Sequence, residues 1–232
     1  MLHKSALFNY HYFSRIDLEA LPPGERTMFD KSTLLSFKKK EQILREGDAL
    51  RGVYIVVKGM VKASQINANG KEQIIFFFSP QEIFGYQPLL GNDRYPMNAV
   101  CIENSEIRFI EAAHFMKILD SSSDFTRLLL TKLAHEFVVL VNRLNIFAQK
   151  GVRERLALAL ILLNEKFKLQ GSETEFSNIS INKTDLASYI GTSVDVLSRN
   201  IKYFKEKRLI RTHGKSIFII DFNALLLLTG IL

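Results

Sequence analysis

The chain has 232 residues, 47% hydrophobic and 24% charged, a mix that excludes disordered and collagen-like proteins and leaves room for one large domain or two modest ones. Its one cysteine, Cys101, excludes an internal disulfide, an iron–sulfur cluster held by the chain's own thiolates and a cysteine zinc site. The net charge of +7 asks for an acidic partner, and it is not evenly spread: residues 182–220 hold eight basic and three acidic side chains, the electrostatic footprint of nucleic-acid binding.

In chain order, Met1-Leu2-His3-Lys4-Ser5 lacks the apolar stretch of a signal peptide, and no run approaches the roughly eighteen apolar residues of a membrane span. Residues 222–232 are apolar but too short. The expectation is a cytosolic protein with no membrane partner. Pro22-Pro23-Gly24 breaks any long helix over the first 36 residues. From Phe37 to about Ile110 the texture becomes short β-like runs punctuated by glycine. Strands are expected at 53–57, at 61–66, at 73–78 (apolar on both faces, ended by Ser79-Pro80), at 98–101 and at 106–110, with a turn at Asn67-Ala68-Asn69-Gly70. Strands at this spacing argue for a sandwich or barrel.

After Glu111 the period turns helical. A short helix is expected over 112–119, and Ser121-Ser122-Ser123-Asp124 is a helix-start cluster. The helix that follows, of about 25 residues, carries Leu130, Leu133, Phe137, Leu140, Leu144 and Phe147 at intervals of 3, 4, 3, 4 and 3, the repeat of a helix that pairs with another helix. A helix lying on the barrel with one buried stripe is the alternative. Val138, Val139, Val141 and Ile146 widen the apolar surface enough for both. Lys150-Gly151 interrupts this helix and marks a hinge or boundary. An amphipathic helix then runs over 152–168, with Leu156, Leu160, Leu163 and Phe167 on one stripe, and residues 170–175 form a polar loop.

The rest carries the chemistry. A short strand at 179–181 leads to Asn182, which caps a helix over 183–189. Ile190-Gly191-Thr192 turns the chain, and Ser193 caps a second helix to about Lys207. Two short helices joined by a glycine-containing turn make a helix-turn-helix. Arg208-Leu209-Ile210, His213-Gly214-Lys215 and 217–220 read as strand, turn, strand, a β-hairpin wing, and Asp221 or Asn223 caps a last helix. The second helix should enter the major groove by its N-terminal half, where Val194, Asp195, Ser198 and Arg199 share a face. Arg199 suits guanine O6 and N7, Asp195 can accept from cytosine N4, Ser198 can contact a base or a phosphate, and Val194 a thymine methyl. An exposed Asp195–Arg199 ion pair is the plainer alternative. Ser193, Lys183, Lys202, Lys205, His213 and Lys215 are expected at phosphates, which position without specifying.

The run from Ile181 to Arg199, then Leu209-Ile210 and His213-Gly214-Lys215, resembles the winged helix of the CRP/FNR transcription regulators. Arg45-Glu46-Gly47-Asp48 and the run from Val53 to Lys62 resemble the opening of that family's β-roll, Phe84-Gly85 the start of its phosphate-binding cassette, and Val152-Arg153-Glu154-Arg155-Leu156-Ala157 the start of its DNA-domain helix. The resemblance implies an α+β protein: an antiparallel β-roll over 1–120, a dimerisation helix over 121–150 and a winged helix-turn-helix over 151–232. It implies a homodimer on double-stranded palindromic DNA, in contact with RNA polymerase when activating. In cyclic-nucleotide-binding members Phe-Gly is followed by a Glu that holds the ribose, and ten residues later by Arg-Ser or Arg-Thr for the phosphate. Here those places hold Tyr86, Pro96 and Met97, so dependence on cyclic AMP is not expected. The oxygen-sensing branch uses four cysteines for its cluster, and this chain has one. Asp195-Val196-Leu197-Ser198-Arg199 is nonetheless similar to that branch's Glu-x-x-Ser-Arg, which reads TTGA-type half-sites.

Other readings concern control or catalysis. A non-nucleotide effector could lie among Phe76, Phe78, Phe84, Gly85, Tyr86 and Met97, residues that core packing explains equally well. A redox role would rest on Cys101, in an apolar stretch typical of an inert core thiol. A cupin-like enzyme would need clustered ligands, but His3, His11, His114, His135 and His213 are scattered. No cofactor or catalytic residue is expected.

Overall fold

The computed structural model describes residues 7, 9–10, 26, 29–49, 51–91, 93–168 and 178–231. The Pro22-Pro23-Gly24 break, the 170–175 loop, His3 and His11 lie outside the described residues. The chain separates into two compact units, one within 12–71 and 75–137, the other chiefly 138–232 together with 72–74.

The N-terminal unit is built from β1 (Thr33–Phe37), β2 (Gln42–Leu44), β3 (Gly52–Lys58), β4 (Val61–Ile66), β5 (Glu72–Phe78), β6 (Ile83–Phe84), β7 (Asn98–Cys101) and β8 (Ser105–Glu111), with the one-turn helix α1 (Gln87–Gly91) and α2 (Ala112–Ser121). They form two four-stranded sheets, ordered β1-β8-β3-β6 and β2-β7-β4-β5. β1 and β3 flank β8 antiparallel, and β2 and β4 flank β7 likewise. β3 is central and its first five residues are buried, which is why it reads as a continuous apolar run. Gly52 leaves no alternative at its position: a Cβ there would stand 2.0 Å from the Ile110 carbonyl oxygen. The Tyr95 hydroxyl donates to the Gly52 carbonyl at 2.6 Å and closes the same corner.

β4 and β7 span the residues their sequence pattern indicates, and β3, β5 and β8 extend by a residue or two. β1, β2 and β6 have no such signature. β1 is an edge strand with no buried residue, and β2 and β6 are three and two residues long. Strands this short or exposed lack the alternation that burial imposes.

Under α2, Val53, Ile55, Ile83 and Ile110 pack with Phe29, Tyr86, Phe115, Ile118, Phe125 and Leu129 into one core. The last two come from α3 (Ser123–Gln149), which the Ser122 hydroxyl starts by accepting from the Phe125 amide at 3.0 Å.

The C-terminal unit continues with α4 (Val152–Lys168), β9 (Ile179–Ser180), α5 (Lys183–Ile190), α6 (Val194–Glu206), β10 (Ile210–His213), β11 (Ser216–Ile219) and α7 (Phe222–Thr229). Here the structure corrects one expectation. α4 is not amphipathic: Leu156, Leu160, Leu163 and Phe167 are buried, but so is every residue from 156 to 164. α5, α6, α7 and β9 all pack on it, so no side of its middle faces water. The wing also differs. β10 starts at Ile210, because Arg208 takes a left-handed conformation (φ 55°) and the Leu209 amide donates back to the Phe204 carbonyl. The wing has a third strand, since β11 pairs antiparallel with β9 as well as with β10. Asp221 caps α7 through the Ala224 amide at 2.9 Å.

Because Leu160 is fully buried in the hub helix, Leu160→Ala should destabilise the C-terminal unit by about 2–5 kcal/mol, read as a lowered urea midpoint by tryptic sensitivity or circular dichroism.

Candidate nucleic-acid interface

The presentation of α6 begins with its caps. The Asn182 side-chain Oδ1 accepts from the Asp185 amide at 2.7 Å and starts α5. Gly191 ends α5 in the left-handed region (φ 66°), and the Thr192 amide returns to the Ala187 carbonyl at 3.0 Å. Two residues on, the Ser193 hydroxyl accepts from the Val196 amide at 3.3 Å and starts α6. The expected phosphate contact at Ser193 is thus also the helix cap.

Leu186, Ala187 and Ile190 of α5 and Leu197, Ile201 and Phe204 of α6 are buried. What remains outward on α6 is the predicted reading face: Val194, Asp195 and Arg199 are exposed and Ser198 is half-buried. Among the described residues Asp195 and Arg199 form no ion pair with each other or with another group. Both are therefore available to a ligand. Lys183, Lys202, Lys205, His213 and Lys215 are all exposed. Only Lys202 has an acidic neighbour, Glu206 at 3.9 Å, a pair too exposed to be worth much. Lys183, Ser198, Lys202, Lys205 and Lys215 meet around one cleft between α5, α6 and the wing, whereas Val194, Asp195, Arg199 and His213 stand outside it.

Positioning residues that no motif singled out hold this surface from behind. The Arg153 guanidinium lies 4.1 Å over the Tyr203 ring and donates from Nε to Asn200 Oδ1 at 3.2 Å. Asn200 in turn donates to the Val196 carbonyl, so α6 is tied to α4 on the side away from the reading face. Within the same unit, Arg143 Nη2 donates to the Ile74 and Tyr189 carbonyls and Gln73 Nε2 to the Ser188 carbonyl, which secures the end of α5. Paired positions far apart in the chain leave no local signal.

The long helix α3 carries the expected heptad residues unevenly. Leu130, Phe137 and Leu144 are 58, 68 and 72% exposed, and Leu140 is just exposed. Leu133 instead packs on the core of the N-terminal unit, and Phe147 lies against Gly191, where a Cβ would meet its ring at 2.6 Å. The outward stripe runs through Leu130, Ala134, Phe137, Val141, Leu144 and Ala148, with the expected period but alternate positions moved on by one residue.

The candidate effector residues do not share one lining. Phe84 stacks on Phe78 and on Tyr54, with ring centroids 4.8 and 5.3 Å apart, and Phe76 lies tilted against Phe78 at 6.0 Å. Tyr86 faces the other way, into the core under α2, and donates its hydroxyl to Glu136 Oε1 at 2.5 Å. Burial and the Glu136 charge both push its pKa far up, so it stays a donor. Gly85 has φ 82°, Met97 is half-buried and Pro96 is exposed. Cys101 is fully buried and burial raises its thiol pKa, which disfavours the reactive thiolate.

A capped helix-turn-helix with a three-stranded wing, its reading face bare and flanked by exposed lysines, defines a DNA-binding protein. Comparison with known proteins places it further. A family model described as a cyclic nucleotide-binding domain matches residues 34–122, and one described as a Crp-like helix-turn-helix domain matches 154–228. The transcriptional activator protein Anr of Pseudomonas aeruginosa is 26% identical over 193 residues, 83% of this chain and 79% of that protein. The fumarate and nitrate reduction regulatory protein of Vibrio cholerae is 24% identical over 84% of this chain and 77% of its own length. Among solved structures, FixK2 of Bradyrhizobium japonicum superposes with a TM-score of 0.76 at 20% identity, covering 85% of this chain and 96% of that one. The regulator CLP of Xanthomonas campestris follows at 0.73 and 16%, covering 86% and 100%. The chain belongs to the CRP/FNR family and is a DNA-binding transcription regulator of that type, not an enzyme. Among the described residues no helix is long and apolar enough to cross a membrane, and no cluster of His, Cys, Asp and Glu could hold a metal ion.

The two turn glycines separate backbone strain from collision. Both have positive φ, but a Cβ on Gly214 meets nothing within 4 Å. Gly214→Ala should cost about 1–2 kcal/mol, and Gly191→Ala clearly more, as measured by chemical denaturation.

Proposed function

We propose that the protein works as a homodimer that reads a palindromic operator through α6, without cyclic AMP. The observation that carries this reading is the row Val194, Asp195, Ser198 and Arg199, outward on a capped helix and free of internal ion pairs. In this arrangement Arg199 takes a guanine, Asp195 a cytosine amine or the orientation of Arg199, Ser198 a base or phosphate and Val194 a thymine methyl. Ser193, Lys183, Lys202, Lys205, His213 and Lys215 hold the backbone. The sequence similarity to the Glu-x-x-Ser-Arg helix supports a TTGA-related half-site.

The chain divides in function into a roll over 1–120, a dimer helix over 121–150 and a reader over 151–232. The partner on α3 is a second copy of this chain. The exposed stripe has the 3-4 spacing of a coiled-coil seam and is self-complementary about a two-fold axis. The pairing sets two copies of α6 about 34 Å apart, one turn of DNA. Independence from cyclic AMP is supported by Tyr86, which is spent on Glu136, and by exposed Pro96 where the phosphate would need an arginine. RNA polymerase is the expected partner at promoters, and the cytoplasm the expected compartment.

Selection of bound sites from a random DNA library, with and without cyclic AMP, tests the reading: the same palindrome should emerge from both, and enrichment only with the nucleotide would overturn its independence. Arg199→Ala should cost about 1–3 kcal/mol and relax one base pair, whereas Lys205→Ala should weaken every sequence alike and lower the salt slope by about one. Equal loss on all sequences for Arg199→Ala would make it a phosphate contact. Phe137→Glu with Leu144→Glu should give monomers by light scattering, and a double variant that remains dimeric would refute the seam.

A further inference from the structure

The cleft between α5, α6 and the wing is roomy and partly apolar. It encloses about 470 Å³, within the range of small-molecule sites. Its floor is aliphatic, from Ile181, Leu186, Ile201 and Ile217. Four lysines, Lys183, Lys202, Lys205 and Lys215, line it together with Thr212. Among the described residues the one carboxylate paired to these lysines is Glu206, 3.9 Å from Lys202, and Lys183, Lys205 and Lys215 have no acidic partner. Four lysines around an aliphatic lining suit a multiply charged anionic group joined to an apolar body.

We propose that this cleft binds a free phosphate monoester of mononucleotide or sugar-phosphate size, and that the ligand displaces DNA. The competition follows from Ser198, which lines the cleft and also belongs to the reading face of α6. A ligand seated against Ser198, Lys202 and Lys205 occupies ground the DNA backbone would cross. Control of this kind acts at the reader itself and needs no signal from the β-roll. The inference rests on the DNA reading for its consequence, but not for the binding site.

The test is calorimetric titration of the full-length protein with 5′-AMP, with sodium sulfate at equal ionic strength as the control, followed by competition against a fluorescent operator duplex. Saturable binding of one AMP per chain is expected, at least about tenfold weaker in Lys183→Ala/Lys205→Ala/Lys215→Ala and unchanged in Arg199→Ala, whose side chain lies outside the cleft. AMP should release the duplex from the wild type at concentrations where sulfate does not. An unchanged thermal melt verifies the triple variant, and Lys215→Gln alone, at the exposed wing tip, gives a milder version of the same loss. AMP binding no better than sulfate, or undiminished in both lysine variants, overturns the proposal. Weaker DNA binding by the triple variant without any AMP isotherm also overturns it, and leaves the cleft to the DNA backbone. AMP binding by a wild type that selects no DNA would instead sink the operator reading and keep the site.

Discussion

The outward face of α6 depends on what its inward face is bonded to. Leu197, Ile201 and Phe204 recur every three or four residues and are buried against α4 and α5, so the opposite side of the helix must face water. The amide groups of its first turn would otherwise need solvent or a partner, and Ser193 supplies one of the bonds they lack. A helix satisfied in this way can offer Asp195 and Arg199 without folding them back on itself. α4 completes the arrangement: buried all round, it serves as the fixed post on which α5, α6 and α7 are mounted. Arg153 and Asn200 pin α6 to that post from behind.

The same logic, with the opposite outcome, shapes α3. Its first half buries Phe125, Leu129 and Leu133 in the core beneath α2, and satisfying that core turns Leu130, Phe137 and Leu144 outward. Apolar side chains of this size left in water on one stripe are a cost that monomeric proteins rarely bear. In the roll, by contrast, buried aromatic side chains turn on one another. Phe78 and Phe84 stack, Phe76 tilts against Phe78, and the Tyr86 hydroxyl is held by Glu136. A buried carboxylate accepting from a tyrosine and from Gln87 Nε2 is a structural bond that a ligand would have to break.

Much of this was readable along the chain. The strand runs located β4 and β7, the Ser121–Asp124 cluster located the start of α3, and Asn182 and Ser193 marked the starts of the two helix-turn-helix helices to the residue. The eight basic side chains of 182–220 gave the C-terminal unit its positive charge. These are local properties: a cap, a left-handed turn and a period each involve residues within about four positions of one another, so the order of residues specifies them.

Tertiary structure decided the rest. Leu133 and Ala134 both fit a heptad, and only the core beneath α2 sends the leucine inward and the alanine out. Leu156–Phe167 shows one good apolar stripe, yet three helices and a strand bury the helix on every side. Tyr86 meets Glu136 across fifty residues, and the lysine-lined cleft joins segments near 181, 201 and 215. Local order determined which elements form and where their charge lies. The packing of residues distant in sequence determined which faces are left open, because burial is a property of the neighbours and not of the residue.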